Sequence, residues 1–232
     1  YGVGGGITWD STWESEYREV HQKAAVLYRK QARFKLITTG KISQKNLLFE
    51  EKHIERLRKA SRYFAFPFDQ EVLRQEIEKE RQICDLHQDY RMRISISKSG
   101  AIEIERQVLT PLSPSFCQAI LCLQEADLKH AFTYFKTTHR PHLTVGNQEI
   151  IYHTADGKLL ETSIGNLVLK MNGKLYTPPS TLGILPGIYR QHLLESKQAE
   201  EKILTIEDLK QTEAIYGCNV VRGLYELSVR EN

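Results

Sequence analysis

The sequence of 232 residues lacks the features that would point to a membrane, a secreted scaffold or a nucleic-acid surface. No apolar run is long enough to span a bilayer, and no signal-peptide pattern stands at the start. The cysteines, Cys84, Cys117, Cys122 and Cys218, form no CxxC pair, which favours reduced thiols in a cytoplasmic protein. The net charge of +3 is spread along the chain, so we expect neither nucleic-acid nor membrane binding.

Two stretches that resemble binding motifs lack the residues that would complete them. Gly4, Gly5 and Gly6 are not followed by Gly-Lys-Ser/Thr, so they do not form a phosphate-binding loop. His139 and His142 have HxxH spacing, but no third ligand or helical pattern accompanies them. We therefore expect no metal site.

What the chain does have is a regular succession of helix and strand patterns from Phe34 onward. Residues 34–39 read as a strand, and residues 46–64 carry apolar side chains at helical spacing. A second helix is predicted over 69–86, with Asp69 as its N-cap and Val72, Leu73 and Ile77 on its inner face. Residues 90–109 alternate around a glycine turn, which predicts a β-hairpin.

The second half of the chain is richer in strands. Strands are predicted over 149–153 and 158–171, followed by an Asn-Gly hairpin turn at 172–173. A helix begins after Leu185-Pro186-Gly187, and Thr205 with Asp208 has the pattern of a capping box. Residues 213–219 and 222–229 read as closing strands. Since 110–115 holds two prolines, we place the linker between two α+β halves there.

Four positions carry candidate chemistry, each beside a simpler interpretation. Lys136 follows an aromatic pair, and a desolvated lysine can act as a nucleophile, but it could also be a surface lysine. Glu161 stands among apolar strand residues and would need a partner if buried, or it is an exposed strand-end acid. The proline and glycine before Ile188 leave free N–H groups that suit an anion, or an ordinary helix start. Arg56 is interpreted locally as part of a solvated helix face.

Taken in order, several fragments resemble the class IV pyridoxal-phosphate enzymes. The fragments are HIERL around Arg56, KTT at Lys136, LLETSIGNL around Glu161, LPGIYR at 185–190 and CNVVRGL at 218–224. The resemblance runs from about Phe34 to Leu227. It implies a mixed α/β (α+β) fold of two subdomains, the D-amino acid aminotransferase-like architecture of type IV pyridoxal-phosphate enzymes. The subdomains would be 31–110 and 111–232, with the cofactor between them.

The resemblance also implies roles for individual residues. Lys136 matches the Schiff-base lysine, Glu161 the carboxylate that pairs with the pyridine nitrogen, and Arg56 the arginine that binds the cofactor phosphate. Asn166 matches an asparagine that fixes the loop under the cofactor. The further cofactor contacts implied are Gly187, the backbone N–H groups of Ile188 and Tyr189, and Val220. Several relatives have threonine at the position of Tyr189, and many have serine at that of Val220.

Substrate contacts are implied less directly. Thr38 and Thr39 match a pair of residues near the substrate in relatives. Arg91, Arg93 and Arg222 could receive substrate carboxylates by bidentate pairing, although Arg91 and Arg93 could instead face outward from their strand. Because relatives are homodimers, we expect a homodimer.

The first 30 residues resemble a different protein. GVGGGITWDSTWESEYREVHQKA is similar to the last strand and helix of the chorismate-binding component of aminodeoxychorismate synthase, with Glu14, Glu16 and Glu19 at acidic positions that help to hold Mg²⁺ in complete synthases. We expect residues 1–30 to be a remnant of that domain, poorly packed over 1–10 and without synthase activity. The order of the two resemblances indicates a bifunctional synthase/lyase with an associated glutamine amidotransferase subunit.

The sequence therefore predicts a pyridoxal 5′-phosphate-dependent 4-amino-4-deoxychorismate lyase, which releases pyruvate and forms 4-aminobenzoate for folate biosynthesis. In the expected mechanism Lys136 is the general base and Glu161 stabilises the pyridinium. Two alternatives stay open. One is a class IV aminotransferase of the D-amino acid or branched-chain type. The other is a non-catalytic domain that packs on the synthase, suggested by the lost hydroxyls at Tyr189 and Val220 and a short segment from Lys136 to Glu161.

Overall fold

The computed structural model describes residues 2–28, 32–124 and 130–229, without the side chains of 25–28. The chain forms two compact units, residues 1–33 and residues 34–232. In the first unit, helix α1 covers Trp13–Tyr28, as its charged sequence predicts. The acidic side chains of Glu14 and Glu16 lie in its first turn, where the helix dipole favours negative charge. Residues 4–10 are exposed, which agrees with the expected poor packing of this stretch.

The first part of the second unit is a four-stranded antiparallel sheet with two helices. The sheet has the order β2-β1-β3-β4, and its apolar core contains side chains from β1, β3 and both helices. The elements are β1 (Leu36–Ser43), β2 (Asn46–Leu47), α2 (Glu50–Phe64), α3 (Gln70–Gln82), β3 (Tyr90–Ile96) and β4 (Ile102–Val108).

Local sequence signals account for these elements. The carboxylate of Asp69 accepts hydrogen bonds from the N–H groups of Glu71 and Val72, so the predicted N-cap of α3 is confirmed. Leu73 and Ile77 are buried as predicted, but Val72 is 43% exposed, so its placement on the inner face was wrong. The reason is helical spacing, because Leu73 and Ile77 lie four residues apart on one face and Val72 lies at its edge.

The rest of the second unit is an eight-stranded sheet that closes on itself. The strand order is β10-β9-β8-β11-β12-β5-β6-β7, and a further pairing of β7 with β8 joins six of the strands into a ring. The strands are β5 (Gln118–Leu123), β6 (Ile150–His153), β7 (Leu159–Thr162), β8 (Asn166–Met171), β9 (Lys174–Thr177), β10 (Ala199–Glu201), β11 (Ala214–Asn219) and β12 (Gly223–Val229).

Short helices and turns connect these strands. The helices are α4 (Ala131–Tyr134), α5 (Ile188–Glu195) and α6 (Ile206–Gln211), with a 3-10 turn at Ser180–Leu182. The predicted capping box of Thr205 and Asp208 is present at α6. Asn172 and Gly173 have φ angles of 51° and 73° between β8 and β9, which confirms the Asn-Gly turn.

Two features of this sheet differ from the prediction. The single strand expected over 158–171 is divided into β7 and β8 by a turn at 163–165, which hydrogen bonds between Thr162 and Gly165 close. Strand β5 was not predicted. It pairs in parallel with β6 and β12, and partners so far along the chain leave no local signal. The chain passes from one sheet to the other through 109–117, where the sequence placed its linker.

No helix in the part of the chain that the structure describes is long and apolar enough to cross a membrane.

Candidate active site

A cavity of about 460 Å³ lies where the two sheets of the second unit meet. Residues from β1, β3, α2 and from the barrel-like sheet line it, together with residues 136–145. Its charged lining, within the described residues, is six basic side chains and one carboxylate. They are Arg56, Arg91, Arg93, Lys136, Arg140, Arg222 and Glu161. The cavity is therefore strongly cationic and suits an anionic ligand.

Lys136 is fixed in the cavity by its backbone. Its carbonyl accepts a hydrogen bond from the N–H of Ile37 at 3.0 Å, and Thr137 forms a β-bridge with Leu36, so this segment extends the edge of β1. Burial, with Arg140 and Arg56 nearby, lowers the pKa of Lys136 to about 7. Its amine is thus able to gain and lose a proton near neutral pH, which the simpler interpretation as a surface lysine does not explain.

Glu161 lies at the end of β7 and is 4% exposed. Its Oε1 accepts hydrogen bonds from the backbone N–H of Leu185 at 3.3 Å and from Nη2 of Arg140 at 3.4 Å. Burial raises the pKa of Glu161, whereas Arg140, the Leu185 N–H and Lys136 oppose that rise. The carboxylate is a buried group with a cationic partner, not an exposed strand-end acid.

Asn166 connects Glu161 to the start of α5. It pairs with Glu161 across β7 and β8, and its Nδ2 donates a hydrogen bond to the carbonyl of Leu185 at 2.8 Å. A Cβ added at Gly187 would lie 1.9 Å from Oδ1 of Asn166, so this position has no room for a side chain. Asn166 and Gly187 together set the position of the helix start against the cavity.

The N-terminus of α5 opens on the cavity beside Arg56. Gly187 and Ile188 line the cavity, and no described side chain caps this end of the helix. Nη2 of Arg56 donates to the carbonyl of Pro186 at 2.7 Å, which holds the guanidinium next to the first-turn N–H groups. Burial and the nearby Arg140 lower the pKa of Arg56 to about 10. Free helical N–H groups beside an arginine form a suitable site for a phosphate.

The three arginines predicted for substrate carboxylates share this cavity. Arg91 and Arg93 lie two residues apart on β3, so they point from the same face of the strand. Burial, then Arg93, lowers the pKa of Arg91, and Arg222 acts in the same direction. Arg222 also donates a hydrogen bond to the carbonyl of Thr110. The alternative that Arg91 and Arg93 face away from the site is wrong.

Not every predicted residue lines the cavity. Thr39 does, opposite Arg93 in the register of β1 and β3, but Thr38 points to the other face of the strand and is 1% exposed. Its hydroxyl lies 2.6 Å from Nδ1 of the buried His53. Successive side chains of a strand point to opposite faces, so Thr39 faces the cavity and Thr38 does not. The predicted substrate contact of Thr38 is therefore wrong.

The remaining predicted contacts lie near the helix start and the β11–β12 turn. Tyr189 is the second residue of α5, so its N–H belongs to the free first turn, but its ring packs against Phe49 and His192 instead of the cavity. Val220 lines the cavity in the turn between β11 and β12. In that turn Oδ1 of Asn219 accepts hydrogen bonds from the N–H groups of Val221 and Arg222, both at 3.0 Å.

Sequence reasoning missed Arg140, which the structure places at the centre of the charged cluster. It interacts with Glu161 and lowers the pKa values of both Lys136 and Arg56. Its Nε is buried and has no hydrogen-bond partner among the described residues. The available signal was its place four residues after Lys136, within the same polar patch.

The lining residues fit pyridoxal 5′-phosphate, the cofactor that the sequence resemblance implies. The α5 start and Arg56 could hold a phosphate, Lys136 offers an amine of lowered pKa, and Glu161 offers a carboxylate. The absence of space for a Cβ at Gly187 keeps backbone N–H groups, not a side chain, at the cavity wall. The phosphate, the aldehyde and the ring nitrogen of the cofactor thus each have a matching residue in one cavity.

The fold of this chain is similar to those of several solved structures. A solved structure from Mesorhizobium loti, named "Putative amino-acid aminotransferase", is 24% identical, with a TM-score of 0.75 over 85% of this chain and 100% of that one. A Legionella pneumophila structure, named "Putative 4-amino-4-deoxychorismate lyase", is 22% identical, with a TM-score of 0.67 over 85% and 83%. These likenesses show the class IV aminotransferase-like fold expected from the sequence.

A curated relative from Haemophilus influenzae, described as an uncharacterized protein, is 28% identical over 123 residues. The match covers 53% of this chain and 61% of the relative's length. The sequence model of the family described as amino-transferase class IV matches residues 35–228, which include both sheets and every ionisable residue that lines the cavity. The chain belongs to the aminotransferase class IV family, whose members use pyridoxal 5′-phosphate.

Proposed function

We propose that this chain is a 4-amino-4-deoxychorismate lyase. The observation that carries the proposal is the excess of positive charge in the cavity, where six basic side chains face a single described carboxylate. Arg56 and the start of α5 are sufficient for one phosphate, which leaves Arg91, Arg93 and Arg222 for another anion. The name of the Legionella pneumophila structure supports the same reaction.

The substrate has the charges that this cluster would bind. 4-Amino-4-deoxychorismate carries two carboxylates, one on the ring and one on the enolpyruvyl group, and arginine binds carboxylates in a bidentate way. Arg91 and Arg93 project from one face of β3, and Arg222 reaches the same cluster from the β11–β12 turn. We propose that these arginines receive the two carboxylates, with Thr39 beside them.

The residues around the cofactor then have separable tasks. When bound, pyridoxal phosphate supplies an electron sink for the carbon that bears the substrate amine. Arg56 and the first-turn N–H groups of α5 would hold its phosphate, Glu161 would pair with its ring nitrogen, and Asn166 ties the start of α5 to this pocket through its hydrogen bond to the carbonyl of Leu185. Arg140 keeps a positive charge against Glu161 and so favours the carboxylate form.

Lys136 is the residue that moves the proton. With a pKa of about 7, its Nζ is partly neutral at physiological pH and can take the proton from the ring carbon that bears the amine. A proton returns to the departing enolpyruvyl group, so 4-aminobenzoate and pyruvate leave without a net change of water or protons. The formation of an aromatic ring makes this direction effectively irreversible.

The second candidate is a class IV aminotransferase, favoured by the name and TM-score of the Mesorhizobium loti structure. A dicarboxylic amino acid would also suit three arginines, so charge alone does not separate the two reactions. Their chemistry does, because a transaminase converts the bound cofactor to its pyridoxamine form when given an amino donor. A lyase forms 4-aminobenzoate instead.

We also propose the wider setting that the sequence resemblance implies. Residues 1–30 would be the end of a chorismate-binding synthase domain, which would make the lyase part of a bifunctional enzyme of folate biosynthesis with a glutamine amidotransferase subunit. The lyase unit would form a homodimer. In this setting the synthase produces the substrate that the lyase consumes.

The decisive experiment supplies the purified, cofactor-loaded protein with enzymatically made aminodeoxychorismate and measures 4-aminobenzoate and pyruvate. We expect equal amounts of both products, a loss of at least a thousandfold in Lys136→Ala, and full activity in Lys210→Ala, a matched change at an exposed lysine of α6. Conversion of the cofactor by D-alanine, glutamate or a branched-chain amino acid without 4-aminobenzoate would favour the aminotransferase. Protein that neither turns yellow with cofactor nor takes a borohydride-fixed label at Lys136 would refute both enzyme functions.

A further inference from the structure

A buried carboxylate that the proposed reaction does not use lies behind the turn at 163–165. Glu149, immediately before β6, is 0% exposed. Its Oε1 accepts hydrogen bonds from the hydroxyl of Ser163 and from the N–H of Ile164 at 3.3 Å, and its Oε2 accepts one from the hydroxyl of Tyr225 at 2.8 Å. A buried carboxylate destabilises the folded protein unless it accepts hydrogen bonds, so these three bonds fix the position of the Glu149 side chain.

The turn that Glu149 holds joins two residues of the candidate active site. Glu161 lies on the β7 side and Asn166 on the β8 side, and the two are paired across the strands. The turn has little room to move, because a Cβ at Gly165 would lie 2.5 Å from the carbonyl oxygen of Cys218. Ser163 itself lines the cavity. A shift of the turn would therefore reach the Glu161 carboxylate directly.

Tyr225 anchors Glu149 to the opposite strand of the barrel-like sheet. Its ring lies so close to β11 that a Cβ at Gly217 would be 2.3 Å from Cζ. Burial, and then the neighbouring Glu149, raise the pKa of Tyr225 well above its usual value, so the phenol keeps its proton and remains a donor. Glu149 thus connects the Tyr225 hydroxyl on β12 to Ser163 and Ile164 in the turn.

We propose that Glu149 is a positioning residue, which sets the distance between the Glu161 carboxylate and Lys136 through the turn at 163–165. The inference rests on the proposed roles of Glu161 and Lys136, but not on the identity of the substrate. It assigns a function to a carboxylate that does not itself line the cavity.

The test measures the pKa of Lys136 in cofactor-free protein, where no substrate is needed. The charged groups that act on Lys136 are Arg140, Arg56 and Arg93, which lower its pKa, and Glu161, which raises it. If Glu149 keeps Glu161 in place, the loss of Glu149 moves away a carboxylate that raises the pKa of Lys136, and that pKa falls. The pH dependence of Lys136 modification by an amine reagent, followed by mass spectrometry of its peptide, reports this value.

We expect Glu149→Gln to lower the pKa of Lys136 by about one unit, since an opposite charge at close range contributes shifts of about 1–3 units. Glu161→Gln should lower it at least as far. The double variant should show no further fall, because both changes remove the same interaction. Additive shifts, or an unchanged pKa in a folded Glu149→Gln protein, would overturn the proposal. In that case Glu149 would serve stability alone.

Milder variants keep the test sound if Glu149→Gln does not fold. Tyr225→Phe and Ser163→Ala each remove one donor to Glu149 and should lower the Lys136 pKa by a smaller amount, with weaker retention of pyridoxal phosphate on dialysis. If both fold and neither moves the pKa, the proposal is wrong. A failed lyase assay would not affect these readouts, so the two failures can be told apart.

Discussion

The partly buried ammonium of Lys136 should destabilise the cofactor-free protein at low pH, and replacing it should relieve that cost. The pKa of Lys136 is lowered from 10.5 to about 7, with burial as the largest cause. Between these two values the unfolded chain binds one more proton than the folded one, so stability rises with pH across this interval. Below about pH 7 the charged lysine lowers the free energy of unfolding by the full amount, and above pH 10.5 this destabilisation is absent.

The size of the effect follows from the same shift. At 1.36 kcal/mol per unit, about 3.5 units give an upper bound of roughly 5 kcal/mol. Lys136 is only partly buried, so we expect about 2–3 kcal/mol after screening by solvent. Lys136→Met keeps the length of the side chain without its charge. The stability of Lys136→Met relative to the unaltered protein should therefore be about 2–3 kcal/mol greater at pH 6 than near pH 10.5.

Urea unfolding of the cofactor-free proteins at several pH values measures this difference. Groups that titrate alike in both proteins cancel when the two curves are subtracted, so the remaining slope belongs to Lys136 and the groups coupled to it, such as Glu161. Lys210→Met, at an exposed lysine paired with Glu207, should show no such pH-dependent difference. A constant difference between Lys136→Met and the unaltered protein from pH 6 to 10.5 would refute the reasoning, because the ammonium would then have no burial cost.

Three further substitutions test single contacts. Gly187→Ala would force a Cβ to 1.9 Å from Asn166 Oδ1, so we expect a loss of about 2–3 kcal/mol in urea unfolding and weaker cofactor retention on dialysis. Asp69→Ala removes the acceptor for two N–H groups at the start of α3 and should cost about 1 kcal/mol by thermal unfolding, without changing cofactor retention. Thr38→Val leaves the buried His53 without its hydroxyl partner; a loss of about 1–3 kcal/mol in unfolding, with turnover of folded protein unchanged, would agree with its position outside the cavity.

The elements that the sequence predicts well are those whose causes are local. The N-cap at Asp69, the turn at Asn172 and the capping box at Thr205 each depend on residues within a few positions of one another. Strand β5 depends instead on β6 and β12, and the break between β7 and β8 depends on the close approach of Cys218 to Gly165. Contacts between distant parts of the chain have no periodic trace in the sequence, so these features appear only in the structure.

The candidate site, too, has residues that the sequence identified and residues that only the structure identified. The resemblance to a family supplied Lys136, Glu161 and Arg56, and the structure brings them into one cavity. Strand alternation alone could have predicted that only one member of the Thr38–Thr39 pair lines it. Arg140 had no motif to identify it, because its importance comes from the charges around it after folding.

The two sheets contribute different parts of the chemistry. The four-stranded sheet and helix α2 supply three of the six basic side chains, Arg56, Arg91 and Arg93, while the barrel-like sheet supplies the Glu161 carboxylate. Lys136 comes late in the chain, yet its backbone is bonded to β1 through Ile37. The Lys136 amine is therefore fixed to one sheet and the Glu161 carboxylate to the other. Any change in how the sheets meet alters their separation, and with it the proton affinity of Lys136, even when neither residue is touched.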